Sequence, residues 1–258
     1  MTEITGPQPG SILLRATRGC LKWESIDATS APNSSEQGGA SGLSKEIYYH
    51  GRRDQPTVAL TFDDGPNPPR TDEILEILAS RGARATFFVV GKWVERWPDA
   101  FRRIHQAGHA IGNHSYSHSR PAADFDRAEA VIGSLTGMPT RFLRAPYFDY
   151  RGCRRSPVAL SSSVKTVQCD VNPSDWSHRG PDRIVAGCLR ARSGSIIDLH
   201  DGAEDDDEAK RLARPRPLVA ALPRIIDGLK SKGYRLVGLD EMELVEGKEL
   251  TAFASSPR

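Results

Sequence analysis

The run Thr57-Val58-Ala59-Leu60-Thr61-Phe62-Asp63-Asp64-Gly65-Pro66 decides how the rest of this 258-residue chain is read. Its first six residues are β-branched and apolar enough for a buried strand, and Gly65-Pro66 ends it in a turn. Asp63 and Asp64 then stand side by side at the strand's C-terminal end, where barrel and open α/β enzymes carry their chemistry. Adjacent residues leaving a strand point in different directions, so one carboxylate can take a metal while the other stays free as a base. The same residues also make an ordinary surface turn, for which Asp and Gly are common choices.

Working outward, Ile74, Leu75, Ile77 and Leu78 recur at helical spacing between Thr71 as N-cap and Gly82 as stop. Strand, turn and helix make one βα unit, and the alternation repeats. Residues 85–90, 109–112, 142–144, 165–169, 195–199 and 234–237 read as strands. Residues 97–107, 124–135, 181–192 and 218–232 read as helices, with Gly108 and Gly233 ending two of them. Strands separated by helical patterns argue for a parallel sheet, and this many repeats favour a closed or nearly closed (β/α) barrel over an open sheet. The polar clusters that follow the strands then share one rim.

Composition narrows the function classes. Lys and Arg total 35 against 33 Asp and Glu, a formal charge of +2, so neither a nucleic-acid footprint nor an acidic tail is indicated. No apolar run reaches membrane-spanning length. The N-terminus lacks the basic flank and apolar core of a signal peptide, Ile12-Leu13-Leu14 being too short. The sequence as given therefore predicts a cytoplasmic protein, a reading that an export signal trimmed from its start would change. Cys20, Cys153, Cys169 and Cys188 show no CxxC or Cys/His ligand spacing, which predicts free thiols rather than a disulfide framework or zinc knot. Residues 1–44 read as an arm or linker, 45–250 as the catalytic domain and 251–258 as a tail. Within the arm, 28–44 nearly lack large apolar side chains, while 11–26 carry enough of them for a strand or hairpin. Nothing in the composition indicates an oligomeric state.

His114 and His118 are four apart, a spacing that brings two imidazoles together on a helical turn or tight loop and suits a divalent metal, though surface histidines often share it. With Asp64 they make a two-histidine, one-carboxylate set that leaves coordination positions open, as hydrolytic zinc sites do. His200 stands at a strand end beside Asp201 and Gly202 and suits proton transfer, with Asp175 a candidate to orient it. Arg144 is either a surface cation or, near Asp63, the charge that holds that carboxylate in place. Trp176 suits core packing and the wall of a sugar groove equally.

These motifs resemble the polysaccharide deacetylases with a NodB-type domain, carbohydrate esterase family 4. The likeness runs from about Pro56 to about Met242, through Thr61-Phe-Asp-Asp-Gly-Pro66, His114-Ser-Tyr-Ser-His118, Arg144-Ala-Pro-Tyr147, Asp170-Val-Asn-Pro-Ser-Asp-Trp176 and Leu199-His-Asp-Gly202. The chain is also similar to the rhizobial chitooligosaccharide deacetylase type. The resemblance implies a distorted (β/α) barrel and hydrolysis of N-acetyl groups on an amino sugar or chitin-like oligosaccharide. It implies a divalent metal, zinc foremost, with cobalt, nickel and manganese as alternatives, held by Asp64, His114 and His118. Asp63 becomes the general base and His200 the general acid. Arg144 pairs with Asp63, Asp175 with His200, and Tyr147, Trp176, Asp198 and Leu199 fall on the substrate side, the Tyr147 backbone N–H stabilising the oxyanion.

Two positions depart from the family's pattern. Asn172 stands where its Asp-x-x-Asp-Trp motif begins with Asp, and Asp198 stands two before His200, where an apolar residue that lines the acetyl pocket is usual. Residues two apart on a strand share a face, so Asp198 is expected to point with His200 and, if buried, to need a cationic or hydrogen-bonding neighbour. A rival reading therefore keeps the fold and changes the bond to another linear amide or a formyl group. A sugar-binding pseudoenzyme is a second rival, against which the intact Asp63, Asp64, His114, His118 and His200 count. A two-carboxylate glycosidase is disfavoured, because its acids flank a bond rather than adjoin in sequence. Residues 203–217, with Glu204 to Glu208 followed by Lys210, Arg211, Arg214 and Arg216, read as a solvated loop or a lid.

Overall fold

The computed structural model describes residues 12–17, 20–25, 46–177, 180–202 and 217–247. The chain divides into two units, Met1–Leu43 and Ser44–Arg258. In the first, β1 (Ile12–Thr17) and β2 (Cys20–Ser25) pair antiparallel, the hairpin expected for this stretch. The arm at 28–44, the tail at 251–258 and 203–216 of the charged loop lie outside the described residues.

The second unit is built on a nine-stranded sheet. Its strands are β3 (Ile47–Gly51), β4 (Thr57–Gly65), β5 (Thr86–Val89), β6 (Ala110–Asn113), β7 (Phe142–Leu143), β8 (Lys165–Val167), β9 (Ile196–His200), β10 (Arg235–Val237) and β11 (Leu244–Gly247). The bonded order is β10-β4-β5-β6-β7-β8-β3-β11, with β9 alongside β4. Only β11 runs antiparallel, against β3. A parallel bridge from Val171 to Ile197 brings the segment after β8 back to β9, so the sheet curls into a distorted barrel. Neither β3 nor β11 was legible from periodicity, because their residues lack a regular apolar pattern.

Helices α1 (Arg70–Ser80), α2 (Gly91–Arg96), α3 (Pro98–Gln106), α4 (Ala122–Thr136), α5 (Pro157–Leu160), α6 (Pro181–Cys188) and α7 (Pro217–Ser231) accompany the sheet. None of the described helices is long and apolar enough to cross a membrane. One sequence expectation needs correction. Pro69, not Thr71, occupies the N-cap of α1, because Thr71 Oγ1 accepts from Asn67 N–H at 2.7 Å and donates to buried Asp201 at 2.5 Å. The helix read at 97–107 is found as α3, and a further helix, α2, precedes it. Pro98, which brings no N–H and suits a first helical turn, begins α3.

Alternation along β4 explains how an almost continuously apolar strand positions a polar site. Val58, Leu60 and Phe62 enter the core layer shared with Ile74 and Leu78 of α1 and Ile225, Ile226 and Leu229 of α7. Ala59 enters the second cluster, with Phe88, Phe142, Val167 and Ile196. Asp63 continues the Ala59 and Thr61 row at the strand's C-terminal end. On β9 the same rule sends Ile197 and Leu199 to the helix side, and Asp198 and His200 to the other. Cys153, Cys169 and Cys188 are buried free thiols, as expected.

Candidate active site

A register irregularity separates the two adjacent aspartates. The pairing of β4 with β5 shifts between Asp63 and Gly65, and the skipped Asp64 takes φ 72°. A bulge of this kind re-aims a side chain, so Asp64 leaves the face that Asp63 keeps. The bulge is packed from below. A Cβ on Gly65 would lie 2.2 Å from the Asp201 carboxylate and one on Gly202 would lie 2.0 Å from the Asp64 backbone, so only glycine fits at either place.

His114 follows the last residue of β6, and the loop to His118 is a tight turn rather than a helix. Asn113 Oδ1 accepts from Ser115 N–H at 2.9 Å, and Asp124 Oδ2 accepts from the N–H groups of Tyr116 and Ser117 at 2.9 and 2.8 Å. Ser115 and His118 have φ 66° and 57°, an uncommon conformation for residues with a side chain and one concentrated at functional sites. The loop brings the two imidazoles to 5.0 Å between ring centroids. Sequence reasoning missed Asn113 and Asp124 as its supports. The signal was present, since Asn and Asp commonly bond to backbone N–H groups nearby.

Asp64 Oδ1 lies 3.3 Å from His114 Nε2 and 3.1 Å from His118 Nε2. Neither contact is aligned as a hydrogen bond, and Oδ1 is a buried oxygen without one. His114 Nδ1 is 2.8 Å from the Arg144 carbonyl, which can only accept, so Nδ1 carries the proton and Nε2 turns its lone pair toward Asp64. Converging lone pairs on a buried, orphaned oxygen and an oriented imidazole fit a divalent cation.

On the other side, Arg144 Nη1 lies 2.7 Å from Thr61 Oγ1, 2.8 Å from Asp63 Oδ1 and 3.3 Å from Asp198 Oδ1. The guanidinium stacks near Phe88, 4.2 Å from its centroid, and its Nη2 donates to Gln168 O at 3.0 Å. Arg144 is thus the buried partner of Asp63 and not a surface cation. Asp198 is 1% exposed. It has both neighbours that burial demanded, Arg144 on Oδ1 and Asn172, whose Nδ2 donates to Oδ2 at 3.0 Å. Burial and the Asp63 carboxylate push Asp198 up to about 7.

His200 is held twice by Asp175. Its backbone N–H donates to Oδ2 at 3.0 Å and its ring Nδ1 lies 2.9 Å from Oδ1, which leaves Nε2 outside the pair. Burial opposes protonation of His200, yet Asp175 and Asp198 raise its pKa well above the ordinary histidine value. Tyr147 packs edge-on against His118 at 4.8 Å and is 59% exposed, while Trp176 is 63% exposed. Trp176 therefore belongs to the rim and not to the core. Leu199 does not join the group: fully buried among the residues facing the helices, its side chain lies on the opposite face of β9. The arrangement combines three side chains that could hold a cation, a buried carboxylate beside an arginine and a histidine whose pKa is raised, which suits hydrolysis of an amide or ester.

The sequence profile of the polysaccharide deacetylases matches residues 50–155. A chitooligosaccharide deacetylase of Sinorhizobium fredii is 38% identical over 200 residues, covering 72% of this chain and 91% of the relative. A peptidoglycan-N-acetylglucosamine deacetylase of Bacillus cereus is 32% identical over 212 residues, covering 78% of this chain and 74% of the relative. A peptidoglycan N-acetylglucosamine deacetylase solved with a naphthyl N-oxidanyl-benzamide superposes with a TM-score of 0.67 at 32% identity, over 76% of this chain and 92% of that one.

Proposed function

The chain belongs to the polysaccharide deacetylase family, carbohydrate esterase family 4, and from that premise we propose that it removes N-acetyl groups from an amino-sugar oligosaccharide of the chitin type. The observation that carries the proposal is the buried Asp64 oxygen facing His114 and His118, with Asp63 and His200 on the adjoining strands.

Asp64, His114 and His118 would hold a divalent cation, zinc being the best match to two imidazoles and a carboxylate, which supplies Lewis-acid polarisation of the amide carbonyl and of water. Asp63 accepts the proton of the attacking water, Arg144 fixing the carboxylate in place. The Tyr147 backbone N–H donates to the oxyanion. His200 Nε2–H protonates the departing nitrogen, without which the tetrahedral intermediate would return to amide. Trp176 and Tyr147 offer exposed rings to a sugar face.

Acetate release from N-acetylglucosamine oligomers of increasing length tests this reading, on protein stripped with a chelator and then given zinc, cobalt or no metal. Metal-restored release is the expected result. Stoichiometric metal binding with no acetate from any oligomer would refute it.

A further inference from the structure

The level beneath the proton-transfer pair is polar. β4 and β9 pair in parallel, Asp63 opposite His200 and, one pleat deeper, Thr61 opposite Asp198. A ligand atom from each of Asp63, Asp198 and His200 lies within 4.8 Å of the others, so Asp198 borders the space in which those two groups act. An amide held there has three directions to fill. On the deacylase reading its oxygen would face Asp64, His114 and His118 and its nitrogen would face His200, which leaves the acyl carbon the level below. That level is Thr61, Arg144 and Asp198, all of them buried.

The Thr61 hydroxyl and Arg144 Nη1 at this level are already committed, while Arg144 Nε is buried without a hydrogen bond. Thr61 Oγ1 donates to Ile197 O at 2.8 Å, and Arg144 Nη1 is shared among Thr61, Asp63 and Asp198. Asp198 accepts one bond on each oxygen and keeps lone pairs for more. Asn172 pins it from the surface, with its own Oδ1 accepting from Ser174 N–H at 2.7 Å. Through Asp198 the level offers an acyl group an acceptor, and a methyl has no proton to give it, whereas a hydroxymethyl does.

We propose that the site hydrolyses N-hydroxyacetyl amino sugars as well as N-acetyl ones and favours the former, Asp198 accepting the hydrogen bond of the acyl hydroxyl and Asn172 positioning Asp198. The inference rests on the deacylase reading above. Water adds to the carbonyl carbon, the C–N bond breaks, Asp63 takes the water's proton and His200 gives one to nitrogen. Hydroxyacetate and the free amine leave, with no further reactant.

The test uses N-acetyl and N-hydroxyacetyl chitooligosaccharides of equal length on the metal-loaded protein, with both acids measured. The expected ratio of kcat/KM favours hydroxyacetyl by about tenfold, on the scale of one hydrogen bond. Asp198→Leu reverses the ratio. Asp198→Asn, which keeps shape and hydrogen bonding if the leucine variant fails to fold, brings it toward unity. Asn172→Ala lowers the ratio while leaving kcat on acetyl unchanged, as a positioning role requires. Acetate release without preference, or one ratio in the wild type and all variants, overturns this inference alone. Turnover of neither substrate overturns the deacylase reading and this inference with it.

Discussion

Arg144 Nη1 lies 2.8 Å from Asp63 Oδ1, and neither side chain is more than 4% exposed. Burial disfavours the guanidinium charge, but Asp63 and Asp198 outweigh it and hold the Arg144 pKa above its ordinary value. Removing the cation strands two buried carboxylates. Arg144→Met is therefore expected to lose about 3–5 kcal/mol of stability, the usual cost of breaking a buried pair from one side. Urea unfolding measures this, and an unchanged midpoint would contradict the pairing.

Asp63 and Asp64 adjoin in sequence and differ in task, so their neighbourhoods should separate by mutation. Asp63→Asn is expected to lower kcat by about 10²-fold or more while metal stays bound, since general bases contribute on that scale. His114→Ala is expected to lose both metal and turnover. Metal content by atomic emission beside acetate release distinguishes the two, and near wild-type activity in Asp63→Asn would remove it as base.

Asp175 raises the pKa of His200 against the opposing effect of burial. As the general acid, His200 works while protonated, so activity falls as pH rises through its pKa. Asp175→Asn keeps an acceptor for Nδ1–H and deletes the charge. The alkaline limb of kcat/KM is expected to move to lower pH by about one unit or more. An unmoved limb would show that another group sets it.

Asp198 rises from the ordinary 3.8 to about 7 through burial first and then the Asp63 carboxylate. Between those values the folded chain holds a proton that the unfolded chain releases, so this group's contribution to stability is full at low pH and is lost as pH climbs through 7. Asp198→Asn cannot titrate. It should gain stability relative to the wild type by about 1–3 kcal/mol between pH 5 and pH 8. Unfolding curves at the two pH values give the answer, and a constant difference would refute it.

Gly202 packs against the backbone of Asp64. Its substitution by alanine places a Cβ 2.0 Å from the Asp64 carbonyl, a backbone contact that cannot swing aside. Gly202→Ala is expected to weaken metal binding more than tenfold and to cost about 1–3 kcal/mol of stability. Metal titration beside thermal melting tests both parts.

Much of this was legible in the sequence. Apolar runs ending in polar clusters located β4, β6 and β9 and the residues at their ends, because a buried strand must be apolar along its length and chemistry collects where it stops. Family motifs anticipated the pairings of Arg144 with Asp63 and of His200 with Asp175, both made by hydrogen bonds below 3 Å. The recruitment of Thr71 by Asp201 and the strands β3 and β11 were not legible. Nor was the bond between Asn172 and Asp198, the two positions that depart from the family pattern, which lie 26 residues apart. Sequence periodicity reports the local backbone and which face is buried. Which side chains meet across a sheet depends on strand register and on how the sheet curls, and only the tertiary structure decides those.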